Sequence, residues 1–439
     1  GEIKDKSALL LQTPQSFKAR FNVDVRIQNE VVAIDRKSKC VTVKQVATGE
    51  TYSESYDELI LSMGAEPFIP PIQGVDSDKV LTLRNIPDTL KIKAYIQNKK
   101  PKTAVVIGGG NIGLEMADNL TSAGLKVTVV EMMDHVVAPL DMDMAADVED
   151  YLESKGVTVL TGNGVTAMED LGKTLKLTLK EGALQADMCI LSVGVRPETK
   201  IADQAGVALN QKGAMIVDDQ MRTNIQDIFA VGDAVEVRHF ITGEPAMIQL
   251  AGPANKEARV AADVICGLDS HYTGSQGSAV LKIFDMSVAS TGLNEKQAQA
   301  AGIIYDKVYT FSPSHAGYYP GAHNMSVKVL WNTVNQEIIG AQIVGYDGVD
   351  KRMDVLATAI RFGGKITDLT QLELCYAPPF GSAKDPVNFS GFVAENVITG
   401  KMKQFFWHDV AGLPRDGSVT LLDVRTDGEV AGGRIDGVK

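Results

Sequence analysis

Apolar and polar residues alternate along the first part of the chain in the manner of β-strands. This alternation predicts a β-hairpin region, followed by a short buried strand at residues 58–62. A connector with three prolines between residues 67 and 71 comes next and is typical of a boundary between folding units. The alternating segments are residues 23–27, 40–46 and 50–56.

A different period starts at residue 103, where short apolar runs alternate with amphipathic helices. Runs of this kind predict a parallel sheet with right-handed helical crossovers. Further along, we expect an alanine-rich helix at 252–266, strands and turns after residue 275, and a helix at 351–362. The predicted strands of the alternating region are 104–107, 127–130 and 157–160, and its predicted helices are 112–123 and 144–155.

The loop after the first of these strands carries a GxGxxG motif at Gly108, Gly110 and Gly113. Glycine permits the tight turn at the first position, the approach of backbone amides to a pyrophosphate at the second, and close helix–strand packing at the third. Asn111 and Ile112 open the helix, whose N-terminus favours a phosphate group. The strand before and the helix after favour a dinucleotide site over a merely tight turn.

An acidic residue, Glu131, ends the next predicted strand, 18 residues beyond Gly113. A carboxylate at this position accepts hydrogen bonds from the adenosine ribose hydroxyls and repels a 2′-phosphate. Residues 132–139 contain no lysine or arginine that could compensate. The sequence therefore favours NADH over NADPH, and the alternative is a solvated acid at a strand end.

Composition narrows the classes of partner and chemistry. The 439 residues carry 43 Lys and Arg against 55 Asp and Glu, and the formal charge of −12 opposes binding to nucleic acid or an anionic membrane. Neither a bilayer-spanning apolar run nor a secretory signal is found in the sequence, so a cytoplasmic location is expected. The four cysteines are too widely spaced for a disulfide framework or a zinc site, and no metal site is predicted.

Residues 223–234 end a strand-like run with Gly232 and Asp233 and resemble the second flavin-binding motif of the pyridine nucleotide-disulfide oxidoreductases. The resemblance implies that the chain binds FAD and that Asp233 contacts a ribityl hydroxyl. The other residues that the resemblance assigns are Gly64, Gly194 and Ala251 at the cofactor and Asn255 at the substrate.

Two C-terminal stretches, residues 314–321 and 373–386, resemble coenzyme A-disulfide reductases and their persulfide-reducing relatives. The resemblance implies a homodimer in which Tyr318 and Tyr376 reach across to a single cysteine of the other subunit. A phenol with a pKa of about 10 can donate a proton to a departing thiolate at neutral pH. The alternative is that these side chains are only interface aromatics and surface charges. The substrate-binding residues implied are His315 and, for an anionic group such as a phosphate of coenzyme A, Lys384.

The resemblance covers nearly the whole chain and implies an α/β fold with two Rossmann-like domains, an α+β dimerisation domain and the start of a rhodanese domain. The family has two glycine loops and this chain has one, so the first Rossmann-like domain is expected to lack its N-terminal βαβ unit. That unit, with the redox-active cysteine, is expected before Gly1. The domains are FAD-binding, 1–78 and 195–274; NAD-binding, 79–194; dimerisation, 275–400; linker and rhodanese start, 401–439.

These implications converge on a reductase in which hydride passes from NADH to FAD, and electrons then pass through a cysteine to a sulfur acceptor. The expected acceptor is coenzyme A disulfide, coenzyme A persulfide or polysulfide, and a fused rhodanese domain favours sulfur over oxygen. Two alternatives stay open: an NADH oxidase or peroxidase of the same fold, and a nucleotide-binding fragment without catalytic activity.

Overall fold

The computed structural model describes residues 6–434 and 437–438. Its central feature is a parallel five-stranded sheet with strands that are apolar on both faces, as in sheets covered by helices on each side. Val106, Val127 and Val129 in this sheet have no exposed surface. The strands lie in the order Val80–Leu81, Met188–Leu191, Thr103–Ile107, Lys126–Val130 and Thr158–Leu160.

Amphipathic helices pack on this sheet. In the helix Asn111–Ser122, the residues Leu114, Ala117 and Leu120 recur at helical spacing and are buried. Every strand and helix predicted between residues 104 and 160 lies within two residues of its observed bounds, so the predicted α/β class is confirmed. The other elements of this unit are the helices Ile86–Lys99 and Met142–Ser154 and an antiparallel sheet of Val165–Asp170, Leu175–Leu179 and Ala183–Ala186.

The N-terminal region forms an antiparallel three-stranded sheet after the helix Pro14–Phe21. The strand expected at 23–27 is wrong, because the first strand begins at Asn29. In the segment 23–27, the alternating residues Val23, Val25 and Ile27 are 47, 40 and 66% exposed. The segment therefore has no buried face that would hold it in a sheet. The strands of the sheet are Asn29–Asp35, Cys40–Gln45 and Thr51–Ser55.

Segments that lie far apart in sequence pair with one another next to this sheet. Leu59–Leu61 pairs in parallel with Ile228–Ala230, and Ala65–Pro67 pairs antiparallel with Val195–Pro197. The helix Ala251–Ile265 contacts the turn that follows Ala230. The remaining elements of this part are the strands Met215–Ile216, Val235–Arg238 and Pro245–Ala246 and the helix Lys200–Ala205.

The C-terminal part is built on an antiparallel five-stranded sheet. Its middle strand, Ile338–Gly345, is buried along its whole length and is contacted by the helices Val349–Arg361 and Met142–Ser154. The remaining helices are Glu295–Ala300 and Pro386–Ile398. The strands lie in the order Ala279–Ile283, Met286–Gly292, Ile338–Gly345, Asn324–Asn332 and Tyr305–Pro313.

Beyond residue 400 the chain docks on this sheet through Phe406. The ammonium of Lys307 lies 4.4 Å from the Phe406 ring centroid, and the side chain of Gln404 donates to the carbonyl of Lys307 at 2.7 Å. Within 401–434 and 437–438 there is no strand, and the start of a rhodanese domain stays a prediction. The elements of this tail are the 3-10 helix Trp407–Gly412 and the helix Asp427–Ala431; the other 3-10 helices are Lys6–Leu9, Gly232–Ala234 and Ile366–Gln371.

None of the helices in the described part of the chain combines the length and the apolar character needed to cross a bilayer.

Candidate functional site

The glycine loop between the strand Thr103–Ile107 and the helix Asn111–Ser122 leaves no room for larger residues at two positions. Gly108 has a φ of +104°, and a Cβ there would lie 2.3 Å from the carbonyl oxygen of Ser192. A Cβ on Gly113 would lie 2.0 Å from the carbonyl oxygen of Gly108. The tight turn and the close helix–strand contact expected from the motif are therefore present.

Gly110 differs from the other two glycines because its side-chain position faces open space. No heavy atom lies within 4 Å of the place a Cβ would occupy. Gly110 is also the N-cap of the helix, and no side chain caps its backbone N–H groups. The helix start, with Asn111 and Ile112 in its first turn, thus offers N–H donors beside an open cradle, which fits a pyrophosphate group.

The structure brings Glu131 to this loop. Its carboxylate accepts hydrogen bonds from the backbone N–H of Gly109 at 2.7 Å and of Met133 at 2.8 Å. Glu131 follows the parallel strand Lys126–Val130, whose last residue pairs with Ile107 just before the loop. Adjacent parallel strands therefore deliver the acid and the glycines to one edge, and the residues present fit a nicotinamide dinucleotide.

A second group of glycines lies where the distant segments pair. Gly64, Gly194 and Gly232 all have positive φ, at +72°, +100° and +81°. Backbone hydrogen bonds of 2.9 Å join the carbonyl of Gly64 to the N–H of Glu198 and that of Gly194 to the N–H of Phe68. The open side-chain positions at Gly64 and Gly194 leave room for a planar cofactor, so this part of the chain fits FAD.

Asp233 and Ala251 are both assigned to the flavin from sequence. Gln249, two residues before Ala251, links the two positions by a hydrogen bond to Asp233. The Gln249 side-chain amide donates to the carbonyl of Asp233 at 3.1 Å, just before the helix that starts at Ala251. Burial raises the pKa of Asp233. Asn255 lies one turn into the same helix, where its side chain donates to the carbonyl of Ala251 at 3.0 Å.

Glu257 is a residue of this site that the sequence reasoning missed. It is only 2% exposed and accepts the backbone N–H of Gly232 at 2.7 Å. Burial raises its pKa to about 7, and the charge of Asp233 adds to the increase. The signal was available in the helix, since Glu257 shares the buried face with Val260 and Val264 and is the acid on that apolar face.

In two loops next to the antiparallel five-stranded sheet, the structure brings together the two tyrosines assigned from sequence. Tyr318 is 79% exposed and Tyr376 is 51% exposed. A hydrogen bond between the two phenols raises the pKa of Tyr318. The arrangement presents two adjacent hydroxyl groups at the surface.

The proposed substrate residues near these tyrosines have different surroundings. His315 is buried, and its Nδ1 lies 3.0 Å from the hydroxyl of Ser314 while its Nε2 lies 3.2 Å from the carbonyl of Pro320. Both ring nitrogens therefore contact its own loop. Lys384 is exposed and forms no ion pair within the described residues, so its ammonium is available to an anion.

The four cysteines are all free. Cys189 is fully buried, and burial raises the pKa of its thiol. Cys375 is exposed next to Tyr376. No redox role is assigned to these thiols.

Three carboxylates, those of Asp141, Asp143 and Glu295, lie close enough to hold a cation. The ammonium of Lys328 occupies their centre, at 2.7, 3.0 and 2.5 Å from the three groups in that order. Burial acts to raise the pKa of Glu295, but hydrogen bonds from Lys307 and Lys328 outweigh it and lower that pKa to about 2. Lys328, in the strand Asn324–Asn332, thus connects the antiparallel sheet by ion pairs to Asp141 and Asp143 at the start of the helix Met142–Ser154.

Known families match most of the chain. Residues 2–258 match the family described as Pyridine nucleotide-disulphide oxidoreductase, and residues 278–386 match the dimerisation domain of the same family. The first match alone covers more than half of the chain.

Two curated relatives are similar over nearly the same length. Coenzyme A disulfide reductase of Staphylococcus haemolyticus is 35% identical over 396 residues, which cover 90% of this chain and 88% of the relative. NADH oxidase of Methanocaldococcus jannaschii is 35% identical over 405 residues, which cover 91% of this chain and 89% of the relative.

Solved structures agree with these matches. The crystal structure of reduced Bacillus anthracis CoADR-RHD is 46% identical with a TM-score of 0.95 and covers 100% of this chain and 78% of that one. A NAD-dependent persulfide reductase from A. fulgidus is 35% identical with a TM-score of 0.90 and covers 98% of this chain and 77% of that one. The chain therefore belongs to the pyridine nucleotide-disulphide oxidoreductase family and is an NAD(P)H-dependent flavoprotein oxidoreductase.

Proposed function

We propose that this protein uses NADH to reduce a disulfide or persulfide of coenzyme A, or polysulfide. The observation that carries the proposal is that Tyr318 and Tyr376 are both exposed, on two loops that the hydrogen bond from the N–H of Ala316 to the carbonyl of Pro378 holds together. The pairing of the two phenols, which raises the pKa of Tyr318, agrees with this placement of two proton donors side by side. The names of the relatives support a sulfur acceptor, since one is called Coenzyme A disulfide reductase and one structure is described as a persulfide reductase.

The reaction balances as a two-electron reduction. NADH, one proton and a disulfide give NAD+ and two thiols, so the sulfur–sulfur bond breaks and each sulfur gains one electron. FAD, when bound, supplies the relay of two electrons between nicotinamide and sulfur. The residues of this chain bind the two cofactors, orient them and protonate the departing thiolate.

We assign the cofactors to the two groups of glycines. The loop at Gly108, Gly110 and Gly113, with Asn111 and Ile112 in the helix start, would hold the pyrophosphate of NADH, and Glu131 would accept its ribose hydroxyls. The residues that would hold FAD are Gly64, Gly194, Gly232, Asp233 and Ala251. This assignment rests on the open cradle at Gly110 and on the open positions at Gly64 and Gly194.

We further propose a homodimer in which Tyr318 and Tyr376 serve the active site of the other subunit. A phenol is neutral at pH 7, so it can donate a proton to a departing thiolate and recover it from water. Phe311 and Phe380 are 67 and 70% exposed on the same domain, which supports a covered surface there. Lys384 would bind an anionic group of the substrate, with Asn255 and His315 lining the site.

The proposed division of the chain follows its sheets. The FAD-binding domain comprises 1–78 and 195–274, the NAD-binding domain 79–194 and the dimerisation domain 275–400. The rhodanese start in 401–439 and the cytoplasmic location stay predictions.

The proposal is tested with the full-length flavoprotein under anaerobic conditions. We expect NADH oxidation to require coenzyme A disulfide or polysulfide, and Tyr318→Phe or Tyr376→Phe to lower kcat at least about 100-fold. Tyr319→Phe is the matched control, because Tyr319 packs against His315 and takes no part in the phenol pair. Equal kcat values for all three variants would show that the phenols of Tyr318 and Tyr376 do not take part in the reaction.

A second candidate is an NADH oxidase, favoured by the M. jannaschii relative of that name. Oxygen then replaces the sulfur acceptor. If turnover with oxygen exceeds turnover with every sulfur acceptor, this second function is correct and the first is wrong. A protein purified without flavin absorbance would contradict both and indicate a fragment that binds nucleotide without catalysis.

A further inference from the structure

A buried ion pair lies behind the exposed tyrosines. Arg352 is 2% exposed and Asp385 is 3% exposed. The guanidinium donates through Nη2 at 2.9 Å and through Nε at 3.1 Å to the same carboxylate oxygen of Asp385. Taking such a pair out of water carries a large desolvation cost, and apolar pairs of similar volume are often as stable, so stability alone does not account for a buried ion pair.

The rest of the guanidinium holds backbone carbonyls from separate segments. Its Nη2 donates to the carbonyl of Ser314 at 2.9 Å and to that of Phe380 at 3.4 Å. Ser314 lies four residues before Tyr318, and Phe380 lies four residues after Tyr376. The side chain of Arg352 therefore forms hydrogen bonds to both of the loops that carry Tyr318 and Tyr376.

Two further hydrogen bonds connect the same segments. The backbone N–H of Ala316 donates to the carbonyl of Pro378 at 3.3 Å, which joins the same two loops closer to the tyrosines. The carboxylate of Asp385 also accepts the N–H of Val387 at 3.1 Å and so caps the helix Pro386–Ile398. The pair is thus fixed to a helix at one end and to both tyrosine loops at the other.

The position of Arg352 itself is also fixed. Its Nη1 donates to the carbonyl of Gly348 at 3.2 Å, one turn earlier in the chain. Gly348 has a φ of +70°, and a Cβ there would lie 2.1 Å from this nitrogen. A planar fork that bonds a carboxylate and several carbonyls at once is a property of arginine that lysine and apolar residues lack.

We infer that Arg352 and Asp385 are positioning residues that set the distance and orientation between Tyr318 and Tyr376. The catalytic consequence rests on the proposed function, whereas the geometric one does not. Neither residue touches the surface where substrate would bind, because both are buried behind the loops.

The first test separates positioning from folding by using two activities of the full-length flavoprotein. Reduction of ferricyanide by NADH needs the cofactors but not the phenols, whereas reduction of coenzyme A disulfide needs both. We expect the double variant Arg352→Met with Asp385→Leu, which leaves no buried charge unpaired, to keep ferricyanide reduction within twofold. Its kcat for coenzyme A disulfide should fall at least tenfold, and so should that of Arg352→Lys.

The matched control is Lys79→Met, which breaks the ion pair between the buried Lys79 and the partly exposed Asp170 beside the parallel sheet. It should lower stability without changing the ratio of the two activities. Parallel losses of both activities in the double variant, or an unchanged ratio, would overturn the inference.

The second test does not depend on activity. Tyr318→3-fluorotyrosine provides a fluorine signal that reports the pKa of that phenol. We expect this pKa to be lower in the Arg352→Met and Asp385→Leu background, since the hydrogen bond that the Tyr318 hydroxyl donates to Tyr376, which raises it, would be lost. An unchanged pKa there contradicts the positioning role. A lowered pKa, combined with full activity of Tyr318→Phe, supports positioning and refutes the proposed function of the phenol instead.

Discussion

The carboxylate of Glu131 accepts the backbone N–H of Gly109 at 2.7 Å, which places an acid directly against the glycine loop. Its other oxygen accepts the N–H of Met133 at 2.8 Å. The orientation of the acid is therefore set by the backbone before a nucleotide arrives. A 2′-phosphate at this edge would meet a fixed negative charge.

Replacing this acid should change the choice of nucleotide. We expect Glu131→Ala to lower kcat/KM for NADH about tenfold, which corresponds to the loss of one charge-assisted hydrogen bond of about 1.5 kcal/mol. The value for NADPH should rise, since the repulsion is removed. Asp134→Ala is the control, because it removes an exposed charge three residues away. The prediction fails if the ratio of the two kcat/KM values is the same in both variants.

Two glycines of one loop should respond differently to the same methyl group. Gly113→Ala should lower the Tm by several degrees, because its Cβ would lie 2.0 Å from the carbonyl oxygen of Gly108. Gly110→Ala should keep the Tm, since its position is open and its φ of −80° suits any residue. It should nevertheless weaken NADH binding at least tenfold, measured by fluorescence titration. If Gly110→Ala binds NADH as tightly as the natural protein, the pyrophosphate does not bind beside Gly110 and the assignment is wrong.

These contrasts show what could be predicted from sequence. The strand, the glycine loop and the helix of the parallel sheet follow from local patterns, and their bounds lie within two residues of those observed. The segment 23–27 has the same alternation as a strand but stays outside any sheet, because pairing depends on a buried partner surface that local pattern does not encode.

Long-range contacts of the site were not predictable from local pattern either. Leu59–Leu61 and Ile228–Ala230 pair across more than 160 residues, and only the family resemblance pointed to their proximity. Arg352 and Glu257 carry no motif of their own. Each acts through backbone groups of another segment, which become neighbours only after the sheets have formed.

Glu257 should make stability depend on pH. Its pKa is raised from 4.5 to about 7, so the folded protein keeps the proton that the unfolded chain loses above pH 4.5. The free energy of unfolding therefore has its full value from this group below pH 4.5. It decreases as pH rises to about 7, by at most about 3 kcal/mol. Above that pH the effect is constant.

The variant Glu257→Gln keeps an acceptor for the N–H of Gly232 but has no charge to bury. We expect its Tm to equal that of the natural protein at pH 4.5 and to exceed it at pH 8, in flavin-free protein followed by thermal unfolding. Asp263→Asn on the same helix is the control, since Asp263 pairs with Arg259 near the surface. A Tm difference between the Gln variant and the natural protein that does not vary with pH would contradict the buried acid.

Lys328 should be the residue on which the contact between the parallel-sheet unit and the antiparallel sheet depends most. Its side chain has no exposed surface, and its ammonium bonds Asp141, Asp143 and Glu295. Among the described residues, Lys328→Met would leave Lys307, paired with Glu295, as the one cation in contact with these carboxylates. Removing one member of a buried ionic group in this way costs about 3–5 kcal/mol, so we expect a large drop in Tm at pH 7.

The loss should shrink in acid, and this distinguishes charge from packing. In the natural protein the pKa of Glu295 is lowered to about 2, so its stabilising effect is present above pH 4.5 and is lost as pH falls toward 2. In Lys328→Met the carboxylates can instead take up protons, so the Tm gap between variant and natural protein should narrow as pH falls from 7 to 4. Adding Glu295→Gln to Lys328→Met should recover part of the Tm at pH 7. A gap that stays constant with pH, and no recovery in the double variant, would mean that Lys328 acts through the packing of its methylene chain and not through its charge.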